Sequence, residues 1–179
     1  MGWTKDTIFT LGHSTLDPDE FVELLNSYEI QRLADIRTIP RSRHNPQFNA
    51  DELGQTLPAA GIEYVPMPAL GGLRHARKDS PNSAWRNKSF RGYADYMQTP
   101  EFARAVEDLI AGAASGRTAI MCAEAVPWRC HRSLVADALG VRGVPVVEIM
   151  SKTSSRMHQL TSFARVEGTR ITYPPDDES

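Results

Sequence analysis

The sequence lacks several features that would assign a functional class at once. It has only two cysteines, Cys122 and Cys130, which are too few for a disulfide framework, so a reduced cytosolic pair is expected. Its net charge of -2 argues against binding to DNA or to an anionic membrane through bulk electrostatics, although it leaves room for a local basic pocket. No apolar run approaches the ~20 residues of a membrane span, and residues 1–5 do not resemble a signal peptide. These absences predict a soluble, cytoplasmic protein with no membrane partner.

The familiar phosphate-binding motifs are absent as well. The chain has neither a Walker-type loop nor a dinucleotide glycine fingerprint, and Gly71-Gly72 indicates loop geometry rather than a phosphate cradle. The strict cysteine-phosphatase loop also fails, because Arg129 stands one residue too far from Cys122. A sulfur carrier of the rhodanese type likewise places a cysteine between a buried strand and a helix, but the loop sequence here is not diagnostic of one.

Apolar residues are gathered into runs that alternate between strand and helix patterns. The expected strands are residues 7–11, 32–36, 62–65, 118–121 and 144–149, and the expected helices start at Asp17-Pro18, at Asn49 or Asp51, at Tyr93, at Pro100 and near Cys130. This alternation predicts one α/β domain over residues 1–179, ordered over about 6–173, with a frayed acidic C-terminal tail. We expect a three-layer, doubly wound, Rossmann-like fold with a mainly parallel five-stranded sheet in the order 3-2-1-4-5. A short C-terminal hairpin would turn at Gly168-Thr169.

Polar side chains follow the C-terminal ends of these strands, and in a parallel sheet those ends share one edge. Cysteine, histidine and arginine accumulate in these loops and not in the opposite ones, which favours a ligand site over ordinary loop polarity. The candidates are His13 and Ser14 after the first strand, Asp35, Arg37, Arg41, Arg43, Asn45 and Gln47 after the second, and Cys122, Glu124, Arg129, Cys130, His131 and Arg132 after the fourth.

Cysteine chemistry is the first interpretation of this set. Cys122 is the candidate nucleophile, although a cysteine at the end of a buried strand is often an inert small hydrophobe. Glu124 or His13 would be the acid or base, and Cys130 could be the low-pKa thiol instead, or the resolving partner of Cys122. The other candidates would bind the substrate, with the arginines clamping an anion unless they form a solvated basic face.

An alternative is a zinc site whose ligands would be His13, Cys122, Cys130 and His131. The spacing matches no tight zinc motif, so no metal is predicted and the cofactor stays open. The stretch from 66 to about 90 looks irregular, and a segment of this length inside a compact domain is usually functional or disordered.

A series of ordered blocks resembles the family catalogued as domain of unknown function 488, over nearly the whole chain up to Tyr173-Pro174. The blocks are Leu11-Gly12-His13-Ser14, Asp35-Ile36-Arg37, Pro40-Arg41-Ser42-Arg43, Asn45-Pro46-Gln47-Phe48, Gly61-Ile62-Glu63-Tyr64, Leu70-Gly71-Gly72, Tyr93-Ala94-Asp95-Tyr96-Met97, Met121-Cys122-Ala123-Glu124 and Cys130-His131-Arg132. The resemblance implies a single domain and adds weight to these polar blocks as a site. It implies no particular reaction.

Three functions therefore stay open. The first is an enzyme that acts on a small anionic substrate, such as a nucleotide or another phosphorylated metabolite, through the cysteine, glutamate and histidine. The second is a non-catalytic module that binds a nucleotide or a nucleic-acid end with the same arginines. The third is a redox or sulfur-transfer protein, although no Cys-x-x-Cys motif supports it. The oligomeric state is not indicated.

Overall fold

The structure is a computed structural model that describes residues 3–38, 45–72, 74–123 and 131–175. The strands within these ranges are β1 (Ile8–Gly12), β2 (Arg32–Asp35), β3 (Glu63–Pro66), β4 (Thr118–Cys122), β5 (Val146–Ile149), β6 (Ser155–Met157), β7 (Arg165–Glu167) and β8 (Arg170–Thr172). The helices are α1 (Pro18–Ser27), α2 (Ala50–Ala59), α3 (Lys88–Tyr96), α4 (Pro100–Ala113) and α5 (Arg132–Gly140), with short 3-10 turns at Pro46–Phe48 and Pro68–Leu70.

The central sheet has six strands in the order β3-β2-β4-β1-β5-β6. The predicted order 3-2-1-4-5 is therefore wrong in the place of β4. The crossover from β1 to β2 leaves one strand position open between them, and β4 fills it, pairing in parallel with both neighbours. The expected adjacency of the first and fourth strands is confirmed. β4 is buried along its whole length, as suits a strand with a neighbour on each side.

Two apolar clusters lie on opposite faces of the sheet and confirm the three-layer α/β arrangement. Successive side chains of β4 alternate between them, with Cys122 in the cluster that packs α3, α4 and α5 and Met121 in the cluster that packs α1 and α2. Phe21 of α1 is 1% exposed. Full burial of such a side chain contributes roughly 1.5–3 kcal/mol relative to leaving it in water.

The helix starts follow their capping residues. Asp17 caps α1, because its carboxylate accepts from the Glu20 backbone N–H at 2.8 Å and the Glu20 side chain accepts from the Asp17 N–H at 3.2 Å. Pro18 occupies the first turn, as predicted. The start predicted for α3 at Tyr93 is too late, since the Asn87 side chain accepts from the Ser89 N–H at 2.8 Å and begins the helix at Lys88.

The C-terminal part of the chain adds strands that the sequence only partly predicted. β7 and β8 form the expected antiparallel hairpin, turning at Gly168-Thr169. β6 was not predicted, because its three residues are all exposed and include a single apolar side chain, Met157, so they show no alternation of apolar and polar residues. It pairs antiparallel with β5 and makes the sheet six-stranded instead of five-stranded. Within the described ranges, no helix is long and apolar enough to cross a bilayer.

Candidate functional site

The ends of β1, β2 and β4 are joined through their main chains. The His13 N–H donates to the Cys122 carbonyl at 2.9 Å, the Ser14 N–H to the Ala123 carbonyl at 2.9 Å, and the Ile36 N–H to the Met121 carbonyl at 3.0 Å. The expected convergence on one edge of the sheet is therefore present. Ser14 has a φ of 51°, in the left-handed region that a residue with a side chain rarely adopts. Such strain often accompanies functional sites.

The sulfur of Cys122 lies beside a buried guanidinium. Cys122 is 2% exposed, Arg132 at the start of α5 is 1% exposed, and the Arg132 Nη1 group donates to Cys122 Sγ at 2.7 Å. A positive charge at this distance favours a sulfur anion over a neutral thiol. The expected reduced pair is not the state described, because Cys122 is disulfide-bonded. The chain has one other cysteine, Cys130, which lies outside the described residues.

Among the described residues, one ring nitrogen of His13 has no hydrogen-bond partner. Its Nδ1 faces the Ser14 carbonyl at 2.7 Å, and its ring stacks on Phe48 with centroids 4.3 Å apart. Burial lowers the pKa of His13, and the nearby Arg37 lowers it further, against the opposing effects of the Ser14 carbonyl and Asp35. A neutral ring that donates from Nδ1 keeps its lone pair on Nε2. That buried Nε2 has no hydrogen-bond partner among the residues the structure describes.

Asp35 and Arg37 bind each other. Arg37 Nε and Nη2 donate to the two carboxylate oxygens of Asp35 at 2.9 and 2.7 Å, and the Tyr64 hydroxyl donates to Asp35 at 2.6 Å. Arg37 Nη2 also donates to the Phe48 carbonyl at 2.6 Å. Burial would lower the pKa of Arg37, but the hydrogen bond and charge of Asp35 raise it above its usual value. This pair holds β2, β3 and the turn at Phe48 together, so the predicted anion contact of Arg37 would be made by a guanidinium already paired with a carboxylate.

His131 connects the end of β2 to the loop after β3. Its Nε2 faces the Ile36 carbonyl at 2.9 Å, and its ring lies 4.8 Å from that of Tyr93. Burial lowers the pKa of His131 to about 4, although the carbonyls of Ile36 and Leu70 oppose that shift. The ring is therefore neutral near pH 7 and would bind a ligand only as a hydrogen-bonding group, not as a cation.

The alternation of side chains divides the predicted site into two halves. Leu11, Leu33 and Phe48 belong to the α1/α2 cluster, so His13, stacked on Phe48, and the Asp35–Arg37 pair lie on that face. Cys122 belongs to the cluster on the α3–α5 face, together with its contact Arg132. The predicted residues thus share an edge of the sheet but approach it from opposite faces.

Two further predicted residues, Asn45 and Gln47, belong to the turn at Pro46–Phe48 or directly precede it. Gln47 donates to the Leu16 carbonyl at 3.1 Å and so ties the Pro46–Phe48 turn to the start of α1. Asn45 precedes that turn without capping it through its side chain. The remaining predictions, Arg41, Arg43, Glu124, Arg129 and Cys130, lie outside the described residues.

Residues 17–139 match the family described as domain of unknown function DUF488. The chain belongs to the DUF488 family. The matched range runs from the cap of α1 into α5 and includes Asp35, Arg37, Cys122 and Arg132. Neither curated proteins nor solved structures gave a match to this DUF488 chain.

The structure of this DUF488 protein contains a buried polar network around His158 that was not predicted from the sequence. His158 lies between two carboxylates, with Nδ1 2.7 Å from Glu148 and Nε2 2.7 Å from Asp137. Tyr173 and Thr161 also donate to Asp137, at 2.8 and 2.7 Å. Burial lowers the pKa of His158, but the two carboxylates outweigh it and raise that pKa to about 9. The partners are far apart in sequence, so no local spacing reveals the network.

Within the described part of this DUF488 chain, no group of three or more histidine, cysteine, aspartate or glutamate side chains is arranged so that it could hold a metal ion. The zinc alternative involved Cys130, which is outside that part. Its described members are His13, Cys122 and His131, of which His13 and Cys122 approach the edge from opposite faces of the sheet.

Proposed function

We propose that this DUF488 protein is a cysteine-dependent enzyme that acts on a small anionic substrate at the C-terminal edge of the sheet. The observation that carries the proposal is the contact between Arg132 Nη1 and Cys122 Sγ at 2.7 Å. A guanidinium that is 1% exposed interacts more strongly than one in water, because the surrounding dielectric is low. Once Cys122 is reduced, this charge would hold it as a thiolate, which is the nucleophilic form.

The same charge supports an anionic substrate. Arg37 is neutralised by Asp35, so Arg132 is the described arginine whose charge lies next to the reactive sulfur. Arg132 would offset the repulsion between the Cys122 thiolate and an incoming phosphate or carboxylate. The arginines expected to complete the clamp, Arg41, Arg43 and Arg129, stay predictions from the sequence.

The proposed reaction has two steps. The Cys122 thiolate attacks the electrophilic atom of the substrate, and the bond to the leaving group breaks, so that the leaving group departs with that electron pair and takes up a proton. Water then attacks the same atom, loses a proton to a base and releases the thiolate. His13 is the proposed base, because burial keeps the ring neutral and Nε2, which carries the lone pair, has no hydrogen-bond partner among the described residues.

The test is turnover of a panel of nucleotides by reduced protein, with Cys122→Ser and Cys130→Ser as a matched pair. Each variant is first checked for an unchanged thermal transition. We expect Cys122→Ser to lose at least 10²-fold in rate, and Cys130→Ser to keep turnover without added reductant. Full activity of Cys122→Ser would remove Cys122 from the mechanism.

A second candidate is thiol–disulfide exchange, which the disulfide at Cys122 favours. In that reaction two molecules of a small thiol reduce the protein disulfide, giving two protein thiols and one small-molecule disulfide, with two electrons and two protons transferred. In the reducing cytosol that the sequence predicts, such a disulfide would be transient. A reduction potential below about -300 mV would identify a structural bond instead and contradict this candidate.

A further inference from the structure

A basic groove lies apart from the sulfur site, on the segment between β3 and α3. Its volume is about 590 Å³, and its lining contains Arg74, His75, Arg77, Lys78, Lys88 and Arg91. Residues 64–94 contain six lysines and arginines but a single acidic residue, Asp79, although the whole chain has a net charge of -2. The positive charge is therefore concentrated locally.

Most of these charges have no acidic partner. In the described residues, Arg77 pairs with Asp79 at 3.2 Å, but Arg74, Lys78, Lys88 and Arg91 form no ion pair. Arg74 and Arg91 are held instead by neutral groups. Arg74 Nε donates to the Gly71 carbonyl at 3.2 Å and Arg91 Nε to the Trp85 carbonyl at 3.1 Å. These four like charges outnumber the two carboxylates nearby, Asp79 and Asp95, so they repel one another, and an anionic ligand would relieve that repulsion.

The groove is built on buried anchors. The carboxylate of Asp95 is 5% exposed and accepts from the Arg77 N–H at 2.7 Å, the Ser80 hydroxyl at 2.5 Å and the Asn82 amide at 2.7 Å. Gly92 of α3 approaches the same segment so closely that a Cβ there would lie 2.1 Å from the Arg74 carbonyl oxygen. The backbone that carries the cations is thus fixed before any ligand arrives, which lowers the entropic cost of binding.

We propose that this groove binds the phosphate backbone of a single-stranded nucleic acid. Its cations come from two chain segments, 74–78 and 88–91, so they extend along the groove rather than surrounding one point. The rest of the chain has fourteen lysines and arginines against twenty-one acidic residues, which disfavours the wider footprint of a duplex. The proposal is independent of thiol chemistry at Cys122.

The test is binding of a fluorescently labelled oligo(dT), followed by anisotropy between about 50 and 200 mM salt. Four phosphate contacts on a single strand predict a slope of log K against log salt of about -3, which is a loss of roughly 50-fold over that range. Lys78→Gln with Lys88→Gln should weaken binding about tenfold at the lower salt concentration and reduce the slope by about half.

The chain offers a matched control, because its only other lysines are Lys5 and Lys152. Lys152 pairs with Glu23 of α1, on the face of the sheet opposite α3. Lys5→Gln with Lys152→Gln removes the same charge and should leave binding unchanged, as should Cys122→Ser. Equal weakening by both lysine pairs would overturn the groove as the site. Tighter binding of a duplex, or displacement of oligo(dT) by an equal phosphate concentration of tripolyphosphate, would overturn the proposed ligand.

Discussion

The pairing of Asp35 with Arg37 shows how a predicted ligand-binding residue can belong to the framework of the site. Asp35 is 1% exposed and accepts hydrogen bonds from the Arg37 guanidinium, the Arg37 N–H and the Tyr64 hydroxyl. A buried ion pair costs desolvation of both charges, and only good geometry and additional hydrogen bonds offset that cost. The pair therefore fixes the β2 end of the site, and its predicted contact with substrate stays a prediction.

Asp35→Asn should consequently destabilise the protein by about 3–5 kcal/mol, because it leaves the Arg37 charge buried without a counter-charge. Urea unfolding measures this difference. The matched control is Asp79→Asn, which breaks the exposed pair with Arg77 and should leave the free energy of unfolding almost unchanged, because solvent screens that pair. Equal effects of the two substitutions would contradict the structural role given to Asp35.

For single residues, the sequence predicted where the candidate site residues lie better than it predicted their hydrogen-bond partners. Cys122 and His13 stand where the ends of apolar strands predicted them, on one edge of the sheet. The pairing of Asp35 with Arg37 was within reach, because side chains two apart on a strand share a face. The contacts of this pair with Tyr64 and Phe48 could not be predicted, since they depend on which strand and turn pack beside β2.

The loop after β3 packs on the end of β2 through a glycine. A Cβ at Gly71 would lie 2.7 Å from the Thr38 backbone nitrogen and 2.3 Å from its hydroxyl oxygen. The Thr38 hydroxyl also donates to the Gly72 carbonyl at 2.8 Å. This close approach explains the Gly71-Gly72 pair as loop geometry and brings the loop against His131.

Gly71→Ala should therefore destabilise the protein by about 1–3 kcal/mol, since backbone as well as side-chain atoms must move. Gly54→Ala is the opposite case, because Gly54 lies inside α2 with open space around it. That substitution should stabilise the protein by roughly 0.5–1 kcal/mol. Thermal unfolding of the two variants tests whether Gly71→Ala lowers the stability and Gly54→Ala raises it. An unchanged stability of Gly71→Ala would contradict the tight packing.

The network at His158 links α5, β5, β6 and the C-terminal Tyr173 and predicts a pH dependence. The folded-state pKa of His158, about 9, lies above the ordinary 6.5, so its contribution is fully present below pH 6.5 and is lost as pH rises toward 9. The expected loss is on the order of 1–3 kcal/mol. Urea unfolding should show this decline in the wild type and a smaller one in His158→Gln. Identical profiles would rule out a stabilising imidazolium.

At the scale of elements, local signals located helices and strands but not their arrangement. Asp17-Pro18 and Pro100 marked the starts of α1 and α4, because the signals that begin a helix are local. Asn87 gave the same kind of signal for α3 but stood inside a stretch interpreted as irregular. The place of β4 between β1 and β2 could not be derived, since either order buries an apolar strand on both sides.

Across the whole molecule, the sheet determines how the two halves of the site meet. The connections after β1 and β2 lead to helices on one face, and the connection after β4 leads to α5 on the other. Adjacent strands whose connections leave to opposite sides open a crevice at their C-terminal ends, where α/β folds commonly bind ligands. Cys122 with Arg132 lies on one side of this edge, and His13 lies on the other.

Arg132 is proposed to hold reduced Cys122 as a thiolate. The direct measurement is the pH dependence of iodoacetamide alkylation at Cys122, followed by peptide mass in the reduced protein and in Arg132→Gln. We expect a midpoint clearly below the ~8.5 of free cysteine, moving upward in Arg132→Gln but not in the control Arg142→Gln. A midpoint at or above ~8.5 in the wild type, or one that Arg132→Gln leaves unchanged, would contradict it.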